Sequence, residues 1–320
     1  MKDTLFLDIC CPKPYTRETL EKEPLGGTEA TVIRVAEALD AYVWQHNRTV
    51  SSGRYLAAQA KPSGIKRVIV LRLTAGIQLA KAMFPRAKIS FWMHDVAGND
   101  LFQNAHLLAA WGVDVLGVSL WHQEQIKDRL FQTRVEGRIP VRYIYNPVSD
   151  ALLPDPTTVT RPEKLVFFSS PHKGLEQTLE FFTYVRRALP DALLYIFNPG
   201  YQIKDLVSLP GVVNRGPQPH PEVVNEVRDS LCTFYINRVV PETFGLVYAE
   251  SNAVGVPVLT HKIGAAPEIL SPANAQMVDT TSPAAVVETV KAWRKARPQV
   301  ECKPEFRLKN VIEAWRFFLA

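Results

Sequence analysis

Short apolar runs rich in β-branched residues recur along the chain, separated by stretches in which apolar positions return every three or four residues. The first pattern suits a strand buried on both faces, the second a helix with one buried face. Their alternation predicts a parallel sheet with helices packed on it. In the first half, strands are expected over residues 5–10, 67–71, 89–93, 115–119 and 142–145, with helices over 29–39, 75–84, 101–111 and 121–131.

The stretch 146–164, NPVSDALLPDPTTVTRPEK, breaks this rhythm, because its prolines oppose both helix and ladder bonding. Alternation resumes with strands expected over 165–169, 193–197, 232–236 and 256–260, and Leu175, Leu179, Phe182, Val185 and Leu189 mark one face of a helix. The expected architecture is α/β with two Rossmann-like domains: 1–148, then 149–304, followed by a C-terminal helix over 305–320 with room to pack back on the first domain. In that last segment Val311, Ile312, Trp315, Phe318 and Leu319 recur at helical spacing, which predicts a docked helix.

Composition narrows the class. With 47% hydrophobic and 22% charged residues over 320 positions, the chain can bury two sizeable cores and is neither disordered nor fibrous. A net charge of +5 with scattered basic residues (Arg134, Arg138, Arg142; Arg294, Lys295, Arg297) suits small anionic ligands or an acidic membrane surface better than nucleic acid. The four cysteines, Cys10, Cys11, Cys232 and Cys302, have no C-x-x-C spacing and are too few for a disulfide scaffold, which points to a reducing, cytoplasmic setting. No apolar run reaches the roughly 20 residues of a membrane span, so any membrane contact is expected to be peripheral, at the inner face.

Open parallel sheets place ligands beyond the carboxyl ends of their strands, where helix N-termini converge. Four segments occupy such positions. In PLGGTEAT, Gly26 and Gly27 allow close backbone approach ahead of a helix, as an ordinary loop also would. In FWMHDVAGND, His94 at a strand end suits a general acid or base, a sugar ligand, or a satisfied strand-end residue. In SSPHKGLEQTLEFF, Lys173 at a helix start suits a phosphate held by charge and free N–H groups. In PETFGLVYAESNAVGVPVL, Glu242 precedes a helix expected to begin near Phe244 and Gly245, and Glu250 lies within it. Two carboxylates flanking a helix N-terminus fit a ligand with hydroxyls at both ends and an anionic middle, the layout of a nucleoside diphosphate sugar. Two ordinary surface acids would share the spacing.

The Lys173 and Glu242–Glu250 segments, together with KIGAAPEIL, resemble in order and spacing the donor-binding half of retaining glycosyltransferases of family 4, whose two Rossmann-like domains face each other across a cleft (the GT-B type). The likeness continues more weakly through LGGTEAT, FWMHD, GVSLWHQEQI and IYNPVS. It implies a transferase moving a hexosyl group from a UDP- or GDP-linked donor to a glycan or lipid-linked acceptor, with retention of configuration. By the same resemblance Glu250 binds the ribose and Glu242 a hydroxyl of the transferred sugar. Lys173, with Thr243 and the backbone of Phe244, Gly245 and Leu246, stabilises the departing diphosphate. Gly26 and Gly27 form the phosphate-side loop, and His94 binds near the sugar; His94, Lys173 and Glu242 form the catalytic set.

The chain departs from that pattern at Phe168, where the family commonly has arginine, and at Gly264-Ala265 in place of a glycine pair. No D-x-D pair is present to hold a divalent cation on the diphosphate, so metal-independent chemistry without a cofactor is expected. Two other readings remain: a non-catalytic nucleotide-sugar-binding protein, and a nucleotide-sugar epimerase on the same fold.

Overall fold

Leu5, Phe6 and Leu7 are fully buried and form strand β1 (Thr4–Asp8), whose alternation is hidden because both faces of its sheet are covered. After it come a short helix α1 (Arg17–Lys22), the longer α2 (Gly27–Leu39), β2 (Tyr42–Gln45) and β3 (Tyr55–Leu56). Three strand–helix repeats follow: β4 (Arg67–Leu71) with α3 (Ala75–Met83), β5 (Lys88–Trp92) with α4 (Asn99–Ala110), and β6 (Asp114–Gly117) with α5 (Leu120–Phe131). β7 (Val141–Tyr143) ends the series. The strands are parallel, in the order β3-β2-β1-β4-β5-β6-β7. The order reverses between β1 and β4, and the connections leaving these neighbours diverge there, opening a crevice at their carboxyl ends.

The second sheet is built from β8 (Arg161–Phe168), α6 (Leu175–Ala188), β9 (Leu193–Asn198), β10 (Val212–Pro217), α7 (His220–Arg228), β11 (Ser230–Tyr235), α8 (Leu246–Ala253) and β12 (Val258–Thr260). Helices α9 (Ala266–Ile269), α10 (Pro283–Lys295) and α11 (Leu308–Leu319) complete the chain. Its parallel order, β10-β9-β8-β11-β12, reverses between β8 and β11. This computed structural model describes residues 1–199 and 207–320.

The chain divides into two Rossmann-like units: Met1–Glu18 with Gly27–Pro147 and Leu308–Ala320, and Thr19–Gly26 with Val148–Arg307. The expected 1–148 domain is therefore interrupted at Thr19–Gly26, which hydrophobic periodicity has no means of signalling. Helix α11 lies in the first unit, where fully buried Trp315 packs edge-on against Trp92, ring centroids 4.7 Å apart, and against Phe6 at 5.6 Å. Such aromatic pairs contribute about 1 kcal/mol each beyond the area they bury.

Several boundaries differ from expectation. β8 starts at Arg161, inside the proline-rich stretch, and Pro162 falls where the ladder with β11 shifts register and before pairing with β9 begins at Lys164 opposite Leu193. β12 starts at Val258 rather than 256, after Val256 and Pro257 have carried the chain out of α8. β2 and β3 are too short to show a period, and β10 is a half-exposed edge strand with Asn214, Arg215 and Gly216 in its middle. Helix α7 also lay outside the periodic pattern; it opens on His220-Pro221, a start favoured by proline in the first turn.

Candidate active site

In the second unit the site is assembled at the carboxyl ends of β8 and β11. β8 ends at Phe168, whose ring packs against a core that includes Val166, Phe197, Val254 and Val256, so this position is used for packing. A tight turn follows, closed by the Lys173 amide donating to the Ser170 carbonyl at 2.9 Å. Gly174 caps α6 in the left-handed region (φ +89°), and a Cβ there would lie 2.6 Å from the Ile236 carbonyl oxygen and 2.8 Å from Asn237 Cα. Glycine is what lets the Lys173 turn touch the end of β11 backbone to backbone. The contact is locked by the Ile236 amide, which donates to Thr178 Oγ1 at 3.1 Å.

Beyond β11, the Asn237 side chain shapes the loop by accepting from the amides of Val239 (3.2 Å) and Val240 (3.1 Å). That loop delivers Glu242 into a buried position between two donors. Tyr235 Oη donates to Glu242 Oε1 at 2.7 Å, and Lys173 Nζ lies 2.9 Å from Oε2. Burial and the neighbouring Glu242 carboxylate hold the Tyr235 phenol well above its ordinary range, so it remains a donor throughout physiological pH. Thr243 and Phe244 are buried after it, and Phe244 meets Phe306 edge-on at 5.3 Å. Gly245 then caps α8, which starts at Leu246, one to two residues later than expected. The first-turn amides of such a helix have no intrahelical acceptor and carry the positive end of its dipole.

Glu250, also buried, extends from α8 toward α7, where its Oε2 lies 3.0 Å from His220 Nε2. The contact is close but poorly aligned for a hydrogen bond. The structure thus brings Lys173, Glu242, Thr243, Phe244, Gly245, Leu246 and Glu250 around one helix terminus. His220, Tyr235 and Asn237 complete the arrangement and were not expected from the sequence; the Pro221 helix start was the one signal near them.

Gly26 belongs to the second unit, whereas Gly27, the first residue of α2, and His94 belong to the first. His94 follows β5 and stacks on Trp92 with ring centroids 4.4 Å apart. Burial pushes its pKa down to about 3, so the ring is neutral at physiological pH. A neutral imidazole there can share a hydrogen bond with a hydroxyl, but its conjugate acid is too strong to be held at pH 7 for use as a general acid. Among the described residues no three His, Cys, Asp or Glu side chains converge as a metal site. No helix among them is long and apolar enough to cross a membrane.

Residues 162–303 match the family model described as glycosyl transferases group 1, a little under half of the chain and most of the second unit. The second unit is similar to that family along this span. The Lys173–Glu242–Glu250 arrangement falls wholly within the matched glycosyltransferase segment. No curated protein matches the sequence significantly. Among solved structures, a glycosyltransferase from Rickettsia africae ESF-5 is similar over 99% of this chain and 97% of its own, with TM-score 0.65 and 15% identity. The pneumococcal O-GlcNAc transferase GtfA, solved with UDP and GlcNAc, is similar over 79% of this chain (TM-score 0.57, 15% identity), and the match spans only 56% of that protein's length. A UDP-N-acetylglucosamine 2-epimerase from Rickettsia bellii is similar over 100% of this chain and 96% of its own, with TM-score 0.56 and 10% identity. At these identities the structural likenesses establish the two-domain GT-B fold and nothing finer.

Proposed function

We propose that the protein is a retaining, metal-independent glycosyltransferase of the family 4 type, moving a hexosyl group from a UDP- or GDP-linked donor to a glycan or lipid-linked acceptor. One observation carries the reading: two buried carboxylates, Glu242 and Glu250, flank the N-terminus of α8, and Lys173 approaches it from the turn after β8. The helix amides and Lys173 then take the diphosphate, Glu250 the ribose hydroxyls and Glu242 a hydroxyl of the transferred sugar. As the bond between the sugar and the diphosphate breaks, negative charge grows on the leaving oxygen. Preorganised amides and an ammonium group stabilise that charge without reorganising. Gly26, Gly27 and His94 contribute from their own loops, His94 as a neutral hydrogen-bonding partner of the sugar. Support for a nucleotide-sugar donor comes from the family match and from the neighbour solved with UDP and GlcNAc.

A second reading, a nucleotide-sugar epimerase, is favoured by the 2-epimerase neighbour that is similar along the whole chain. Incubation with a panel of UDP- and GDP-sugars, with and without acceptor glycosides, separates the two. Acceptor-dependent release of nucleoside diphosphate is the expected result. Interconversion of the donor sugar without any acceptor would establish the epimerase instead, and tight binding without turnover would establish a binding protein.

A further inference from the structure

Helix α7 opens on Pro219, His220 and Pro221, and prolines on either side of the histidine restrict the backbone that carries it. The amides of Glu222 and Val223 both donate to the Pro219 carbonyl, at 3.0 and 3.2 Å, which closes the first turn around His220. Further along the helix, Val223, Val224 and Val227 are buried, and Glu226 is gripped by Lys164 Nζ at 2.5 Å and Arg215 Nη2 at 2.8 Å. The helix is held along its length, so the imidazole at its start is presented from a firm backbone.

That imidazole meets Glu250, with the two side chains 25% and 6% exposed. Both oxygens of Glu242 are engaged by directed donors, Tyr235 Oη and Lys173 Nζ. Oε2 of Glu250 instead has His220 Nε2 beside it at 3.0 Å without the alignment of a hydrogen bond. A hydrogen bond weakens steeply with angle, whereas electrostatic attraction depends on separation. The lone pair that a directed bond to His220 would use therefore remains for another donor. Cys302, a second titratable group near Glu250, supplies no charge of its own, because burial pushes its thiol up to about 11.

We infer that His220 is a positioning residue for Glu250: it steadies the carboxylate by proximity and electrostatic attraction, and leaves it able to accept from the hydroxyls of a ribose. The inference rests on the reading in which Glu250 takes the ribose. It adds that preference for ribose over 2′-deoxyribose is set from α7 as well as from α8.

The test compares the full chain with His220→Leu, which keeps bulk and removes the polar edge, and His220→Gln, which restores an N–H group at similar reach. The probes are UDP, GDP and their 2′-deoxy forms, titrated by calorimetry. In the wild type the ribose form should bind about tenfold more tightly, as expected for one hydrogen bond to a charged acceptor. His220→Leu should cut that preference to about threefold while leaving the affinity for the 2′-deoxy forms unchanged, and His220→Gln should recover most of it. If His220→Leu does not fold, His220→Asn, too short to reach Oε2, takes its place with the same expectation. A preference that persists at full size in the variant would overturn the proposal and leave the role of Glu250 standing. Equal loss of both forms would also overturn it, since a merely structural role weakens them alike. A wild type that shows no preference would remove Glu250 from the ribose, so the underlying reading would fail and the proposal with it.

Discussion

Lys173 Nζ and Glu242 Oε2 stand 2.9 Å apart, joining the turn after β8 to the loop after β11, with the Glu242 side chain 8% exposed and that of Lys173 31%. Each side chain positions the other, and Tyr235 secures the remaining carboxylate oxygen. Lys173→Met should leave a buried carboxylate with one donor fewer and destabilise the protein by about 1–3 kcal/mol. Adding Glu242→Gln removes the unpaired charge, so the double variant should recover part of that loss in urea unfolding while remaining inactive in transfer. A double variant as unstable as the sum of the singles would show that the two side chains do not interact.

Glu250 is expected to act on the nucleoside rather than on the sugar. Glu250→Ala should weaken nucleotide binding by about tenfold to a hundredfold, as expected for one or two hydrogen bonds to a charged acceptor. Calorimetry with the ribose and 2′-deoxyribose forms of the bound nucleotide locates the effect. The wild type should discriminate between them, and Glu250→Ala should bind both alike. Persistent discrimination in the variant would remove Glu250 from the ribose.

The elements were legible where they are long and buried, and the site where it follows them. Runs such as Val68-Ile69-Val70 can be satisfied only inside a covered sheet, so their order exposes both switch points. Glu242 and Glu250 stand out because they flank a helix start. His220 and Tyr235 do not, since their significance depends on which elements become neighbours, and that is not encoded in local periodicity. Phe168 is instructive in the other direction: the sequence marks a missing cation, and the structure shows a ring committed to the core.

Gly264 tests how closely the loop after β12 holds Glu242. It has φ +59°, and a Cβ added there would lie 2.6 Å from the Glu242 carbonyl oxygen and 2.9 Å from its amide nitrogen. Gly112 has nearly the same φ, +61°, with nothing within 4 Å of a built Cβ. Gly112→Ala should therefore cost only the left-handed penalty of about 1–2 kcal/mol, whereas Gly264→Ala should cost more and lower transfer as well. Equal losses in thermal unfolding, with equal activities, would show that backbone conformation alone matters at Gly264.

Two buried histidines set a pH dependence of stability whose sign follows from their neutrality in the fold. Burial pushes His94 down to about 3 and His122 down to about 4, while the unfolded chain takes up these protons near the ordinary value of about 6.5. Their contribution is therefore complete above that value. It declines by about 1 kcal/mol per pH unit for each as pH falls, levelling off only near the folded-state values. Asp8 and Glu29, which burial raises, act in the opposite sense, because protonating them favours the fold as pH falls. The histidine share is isolated by difference. His122→Gln removes one titrating ring and its contacts to Val118 and Asp95, so it should be less stable than the wild type at pH 7.5. On acidification to pH 5 the two urea-unfolding free energies should converge. Parallel curves across this range would mean that His122 is not held neutral in the folded protein.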